Sequence, residues 1–189
     1  MSRRNWKWKV GEAIERIRTR YEFIGRQTGA PFLAVIYPPS DERLALKEWQ
    51  TQCATLAPDF EIRSVDVLDI TQSIVSRFGA QNLVDAIESP MPGSDPGSEL
   101  ADMWIRAICD AVKAEFSTPC NGKPVTSLER LAALYPAAGP RDVMQRLWDS
   151  AQAELNGPVV IMIPGHRLDA RTYSFLSQRE EFMYRGDPL

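Results

Sequence analysis

The sequence predicts an α/β fold of the Rossmann-like three-layer kind: an open, mostly parallel sheet flanked by helices on both faces, in a single domain spanning residues 1–189. Short apolar runs bounded by proline or glycine, at 31–37 and 158–163, have the length and continuity of strands covered on both sides. Between such runs lie stretches with apolar residues at three- and four-residue steps, the mark of helices with one buried stripe. Strands alternating with amphipathic helices imply parallel pairing with helical crossovers. Size agrees, since 189 residues at 44% hydrophobic supply one core and give no reason for two.

From Trp6, the positions Val10, Ala13, Ile14, Ile17, Tyr21 and Ile24 trace the first helix, which Gly25 to Pro31 ends. Residues 31–37 form a central strand stopped by Pro38 and Pro39. Ser40 is the expected cap of the next helix, with Asp41 and Glu42 at its positive end and Leu46, Trp49, Cys53 and Leu56 facing inward. After Pro58, residues 60–65 read as a second strand, and Asp66 or Asp69 caps a helix bearing Ile70, Ile74, Val75 and Phe78.

A short helix over 83–87 leads into 89–97, a segment so rich in proline and glycine that it reads as a surface loop within the domain. Ser98 then caps a long helix lined by Leu100, Met103, Trp104, Ala107, Ile108, Ala111 and Val112. Residues 125–134 place Leu128, Leu131 and Leu134 at helical spacing where the alternation asks for a strand, and we read a strand. Gly139-Pro140 opens a helix with Val143, Met144, Leu147, Trp148, Ala151 and Leu155 on one face, ended by Asn156-Gly157. The last strand follows, halted by Pro164-Gly165.

Several function classes find no support. A net charge of −3 makes no field for nucleic acid. No G-x-x-x-x-G-K-[ST] or G-x-G-x-x-G follows the first strand, and Asn121-Gly122-Lys123 precedes an apolar segment, so it is a turn. Three cysteines, Cys53, Cys109 and Cys120, have no C-x-x-C spacing and one histidine in the whole chain to help them, which argues against zinc and disulfides and fits a reducing, cytoplasmic setting. No secretory h-region or membrane span is present. Asp66 and Asp69 read as helix caps, so neither a metal nor a cofactor is expected.

In parallel sheets, ligands and partners meet the loops beyond the carboxyl ends of the strands. Tyr37, Tyr135, Pro136, His166 and Arg167 stand in three such loops, and that edge is the candidate contact surface. His166 beside Arg167 also suits a general base or an anion-binding pair, which defines an alternative as a phosphoester- or nucleotide-processing enzyme. No serine or cysteine lies in a nucleophile elbow. For nucleic acid the one candidate is Arg3, Arg4, Lys7, Trp8 and Lys9, where basic residues interleave with an aromatic free of the apolar stripe.

The ordered segments resemble the BrxB-like family of the BREX bacteriophage-defence systems. Pro31-Phe-Leu-Ala-Val-Ile-Tyr-Pro38 with Asp41-Glu42 looks like that family's first strand and turn, and Glu61-Ile62 through Asp69 is similar to its second strand and helix. Leu134-Tyr135-Pro136 followed by Arg146-Leu147 resembles its Leu-Tyr-Pro turn, and Pro158-Val-Val-Ile-Met-Ile-Pro-Gly165 its last strand. Phe175-Leu176 and Met183-Tyr184-Arg185 look like its closing segment, which adds Tyr184 and Arg185 to the candidate contacts. The resemblance implies a cytoplasmic, non-catalytic accessory subunit whose partners are a PglZ-like phosphatase-fold protein and other defence-complex subunits.

Overall fold

The computed structural model, which describes residues 6–24, 29 and 31–189, opens with α1 (Lys7–Arg20), whose buried Val10, Ala13, Ile14 and Ile17 are the predicted stripe. Strand β1 (Phe32–Tyr37) follows and is buried along its whole length. Next come α2 (Glu42–Cys53), β2 (Phe60–Asp66), α3 (Val67–Phe78), α4 (Ala80–Glu88) and α5 (Pro96–Ser117). The chain closes with β3 (Lys123–Glu129), α6 (Pro140–Ala151), β4 (Val159–Arg167), β5 (Thr172–Phe175), β6 (Arg179–Phe182) and β7 (Gly186–Pro188).

The sheet runs β2-β3-β4-β1-β7 with every neighbouring pair parallel, while β5 and β6 extend it antiparallel from the end of β4. Side chains alternate across a strand, so β1 sends Leu33, Val35 and Tyr37 to the layer of α1 and α2, and Phe32, Ala34 and Ile36 to that of α3, α5 and α6. Strand β4 divides in the same way, Val160 and Met162 against Val159, Ile161 and Ile163. This two-sided burial is why both strands are near-continuous apolar runs, each such side chain contributing about 1.5–3 kcal/mol. From β1 the chain passes to the outer strand β2 by way of α2, then returns inward on the opposite face. The helices that follow β1 and β3, the strands on either side of β4, therefore lie on opposite faces of the carboxyl edge.

Local chemistry revises several boundaries. Ser40 does not cap α2. Asp41 stands at the N-cap position, but its carboxylate accepts from Trp6 Nε1 (2.8 Å), which ties α1 to α2 in place of a cap. Asp66 caps α3 by accepting from the Asp69 amide, and Asp95, not Ser98, caps α5 by accepting from the Ser98 amide. The ambiguous 125–134 is both things in turn: β3 ends at Glu129, Arg130 takes a left-handed φ of 58°, and Leu131–Leu134 make a 3-10 turn. Helix α6 ends at Ala151, and Leu155 reaches the core from the turn beyond it.

Strand β4 is not halted by Pro164-Gly165. After Tyr37 pairs with Pro164, the strand continues to Arg167 by exchanging its partners for β5, with Gly165 opposite Phe175. Gly165 is required there, because a Cβ would strike the Ser174 carbonyl.

Candidate functional site

The carboxyl edge gathers the ends of four strands: Tyr37 of β1, Asp66 of β2, Glu129 of β3 and Pro164 within β4. Ser64, Ser127 and Glu129 form a polar ladder on the α2 side. Glu129 is buried, and its Oε1 accepts from Ser64 Oγ (2.7 Å) and Ser127 Oγ (3.1 Å) while Oε2 accepts from Gln50 Nε2 (3.4 Å). Such donors are what a carboxylate out of water needs. The Tyr37 hydroxyl lies within 3.3 Å of Glu42 Oε1 and 3.4 Å of the Met162 carbonyl. Burial raises the pKa of both Tyr37 and Glu42, and the carboxylate beside the phenol raises that of Tyr37 further.

Arg130, aimed by its left-handed backbone, binds Asp66 in a close ion pair and reaches Asp69 at 3.2 Å. The end of β3 is thereby stitched to the first turn of α3. These acids serve the fold as a cap and an ion pair. Cys53 supplies no nucleophile beside them, since burial pushes its thiol up to about 12 and Glu129 pushes the same way. Cys109 is likewise raised to about 12 by burial.

The residues expected to share this edge divide. Tyr37 is fully buried under α2 and offers no contact surface. Tyr135 and Pro136 are exposed, joined by a cis peptide bond just past the 3-10 turn. His166 and Arg167 are exposed too, but consecutive strand residues point to opposite faces, so they do not converge on one ligand. Arg167 is also committed, donating to the carbonyls of Asp169 (2.8 Å), Ala170 (3.3 Å) and Pro188 (3.3 Å). Tyr184 and Arg185 belong to the opposite edge, because Gly186 pairs with Phe32 at the start of β1. There the Tyr184 hydroxyl meets Asp149 (3.4 Å), and the Arg185 guanidinium stacks 4.4 Å over the Trp148 ring.

The basic amino-terminal set is drawn into the fold where it is described; Arg3 and Arg4 lie outside the described residues. Lys7 pairs with Glu48 at 3.9 Å, and Lys9 donates to the Ile36 carbonyl (3.0 Å), with its pKa lowered by burial and by Arg167. Trp6 is core, as its place in the apolar stripe predicts, and Trp8 is exposed.

Comparison with protein-family models, curated proteins and solved structures finds no match. Among the described residues no group of three or more His, Cys, Asp and Glu is placed to hold a metal, and no helix is long and apolar enough to cross a membrane.

The short helix expected over 83–87 is α4, which the structure extends to Ala80–Glu88; what sequence reasoning missed is its exposed stripe. Ala80, Leu83, Val84 and Ile87 have the i, i+3, i+4, i+7 spacing of a buried stripe, yet no α4 residue is buried. Leu83 alone of these leans on the core, while Val84 and Ile87 are 44% and 51% exposed. Phe78 before the helix and Met91 after it are exposed as well, Met91 at 76%. The spacing was readable; which side of the helix stays uncovered depends on how α3 and α5 receive it.

Proposed function

We propose that this chain is a partner-binding subunit of a bacterial phage-exclusion complex, cytoplasmic and without catalysis of its own, and that its partner is a PglZ-like, phosphatase-fold protein. The observation that carries the binding part is the outward apolar stripe of α4. Soluble monomers seldom leave large side chains in series toward water unless a partner covers them. Val84 and Ile87 present helical anchors of the kind used at interfaces, and Asp85 and Glu88 put acidic groups on the same short helix. Helix α3 touches both α4 and the 3-10 turn that leads to Tyr135, so the contact surface extends from α4 toward Tyr135 and Pro136.

The identity of the partner rests on the sequence resemblance. Its quoted segments are β1, β2 with the start of α3, the Tyr135-Pro136 turn, β4 and the close of the chain, all framework of one sheet. The enzyme alternative loses ground because His166 and Arg167 diverge and Arg167 is occupied by three carbonyls.

The test is capture of a co-expressed PglZ-like protein by the tagged chain. Val84→Lys/Ile87→Lys abolishes capture with a melting temperature close to that of the unchanged chain, and Tyr135→Ala weakens it. Capture undiminished by the α4 pair would remove this surface from the proposal, and no capture by the unchanged chain would remove the partner.

A further inference from the structure

The two lateral edges of the sheet are treated differently. At one, β7 is three residues long and contains Pro188, while Asp187 is held in an ion pair by Arg16. Those are the devices that blunt an edge against pairing. At the other, β2 runs seven residues without proline or glycine and pairs with β3 alone.

The Lys123 amide donates to the Asp59 carbonyl (2.9 Å), which sets the phase of the β2–β3 ladder. In a parallel pair the residues addressing the neighbour alternate, so Glu61, Arg63 and Val65 turn their backbone groups to β3. Ile62 and Ser64 turn theirs outward, and among the described residues no backbone partner meets them. Ser64 is exposed even though its hydroxyl is engaged inward with Ser127 and Glu129. The middle of this edge is open to water.

We propose that β2 pairs with β2 of a second copy of this chain, antiparallel about a two-fold axis at Ile62, joining two sheets into one. Charge selects both the occupant and the register. Glu61 and Arg63 lie on the same face of β2, with Arg63 Nη2 2.6 Å from Glu61 Oε1. An axis at Ile62 sets Glu61 of each copy opposite Arg63 of the other, twice, with the outward amides and carbonyls of Ile62 meeting each other. An axis one residue earlier opposes two glutamates and one residue later opposes two arginines, both unfavourable. Parallel pairing in register opposes like charges at both positions. The side chain of Arg63 is itself held in place by the carbonyls of Glu115 (2.5 Å), Thr118 (2.9 Å) and Pro119 (2.9 Å), so the charge pattern of the edge is rigid before association. Closed two-fold pairing of this kind stops at the dimer.

Sedimentation equilibrium of the full chain from about 1 to 100 μM tests this. The mass rises from 21.3 kDa toward twice that value, and hydrogen exchange at the Ile62 and Ser64 amides slows over the same concentrations. Glu61→Arg returns the mass to that of one chain, and the swap Glu61→Arg/Arg63→Glu restores the dimer because the opposed charges again differ. A mass of one chain throughout overturns the proposal. So does a dimer whose Ile62 and Ser64 amides exchange as fast as in the monomer, a result that needs no variant to fold.

Discussion

Glu181 is a carboxyl group with 3% of its surface exposed, placed where the β5–β6 hairpin closes over the first turn of α6. It accepts from the Tyr173 hydroxyl (2.5 Å) and the Arg141 amide (3.0 Å), and Arg179 Nε lies 3.2 Å away. Burial nevertheless dominates and raises its pKa above the ordinary glutamate value. A carboxyl raised in the folded state binds a proton that the unfolded chain releases, so its charged form opposes folding. Stability then falls as pH rises through the interval between the ordinary value and the raised one, and Glu42, raised by burial, adds a slope of the same sign. Glu181→Gln should flatten that slope while Tyr173 keeps an acceptor; chemical denaturation across mildly acidic to neutral pH measures it, and an unchanged slope refutes the assignment. Glu181→Ala removes the acceptor from the buried Tyr173 hydroxyl and the part-buried Arg141 amide and should cost about 2–4 kcal/mol. Gly139→Ala should cost about 1–3 kcal/mol, because its Cβ would overlap the Glu181 carboxylate. None of this was legible in Arg-Glu-Glu-Phe, which reads as polar surface; the hairpin that buries one of its two glutamates is a tertiary event. By contrast, the place of Trp6 in the core was written in its spacing.

At the level of elements, α4 separates two kinds of apolar side chain on one stripe. Leu83→Ala should cost about 2 kcal/mol by opening space against the core, whereas Ile87→Ala should stay within about 0.5 kcal/mol. Equal losses in urea melts of the two variants would mean that the stripe is packed and not presented. Gly165→Ala should detach β5 from β4 and speed exchange of the hairpin amides without unfolding β1. The strands and long helices were legible because two-sided burial and one-sided burial leave different periods in the sequence. The extension of β4 through Pro164-Gly165 was not, since those residues are ordinary stop signals and only the arrival of β5 supplies the pairing that continues the strand. Asp66 caps α3 as expected, but two other caps failed in a similar way. Ser40 and Ser98 have the right chemistry, but Asp41 is taken by Trp6, and Asp95 stands one residue before Pro96, which suits the first position of a helix.

For the molecule as a whole, two hydrophobic clusters lie on opposite faces of one sheet, Trp6 and Trp49 in one, Trp104 and Trp148 against the other. Because every central strand contributes side chains to both, neither cluster survives loss of the other. Fluorescence of variants retaining a tryptophan on a single face should therefore report one shared midpoint, coincident with far-ultraviolet circular dichroism. Midpoints that separate by face would divide the chain into two folding units. The carboxyl edge was predicted from topology together with Tyr37 and the Tyr135 turn, but the charged residues that organise it were not. Arg130 and Glu129 fell in a segment of ambiguous period, and Tyr184 with Arg185 was assigned to that edge before the pairing of Gly186 with Phe32 sent it to the opposite end. The order of strands also bears on folding. β1 lies far from β7 in the sequence, yet one flank of it is completed by β7, whose Pro188 lies against Ala34 and is followed by Leu189 donating its amide to the Ala34 carbonyl (2.9 Å). Until residues 186–189 dock, the most apolar strand of the sheet keeps an unguarded side, open to any other strand that reaches it first.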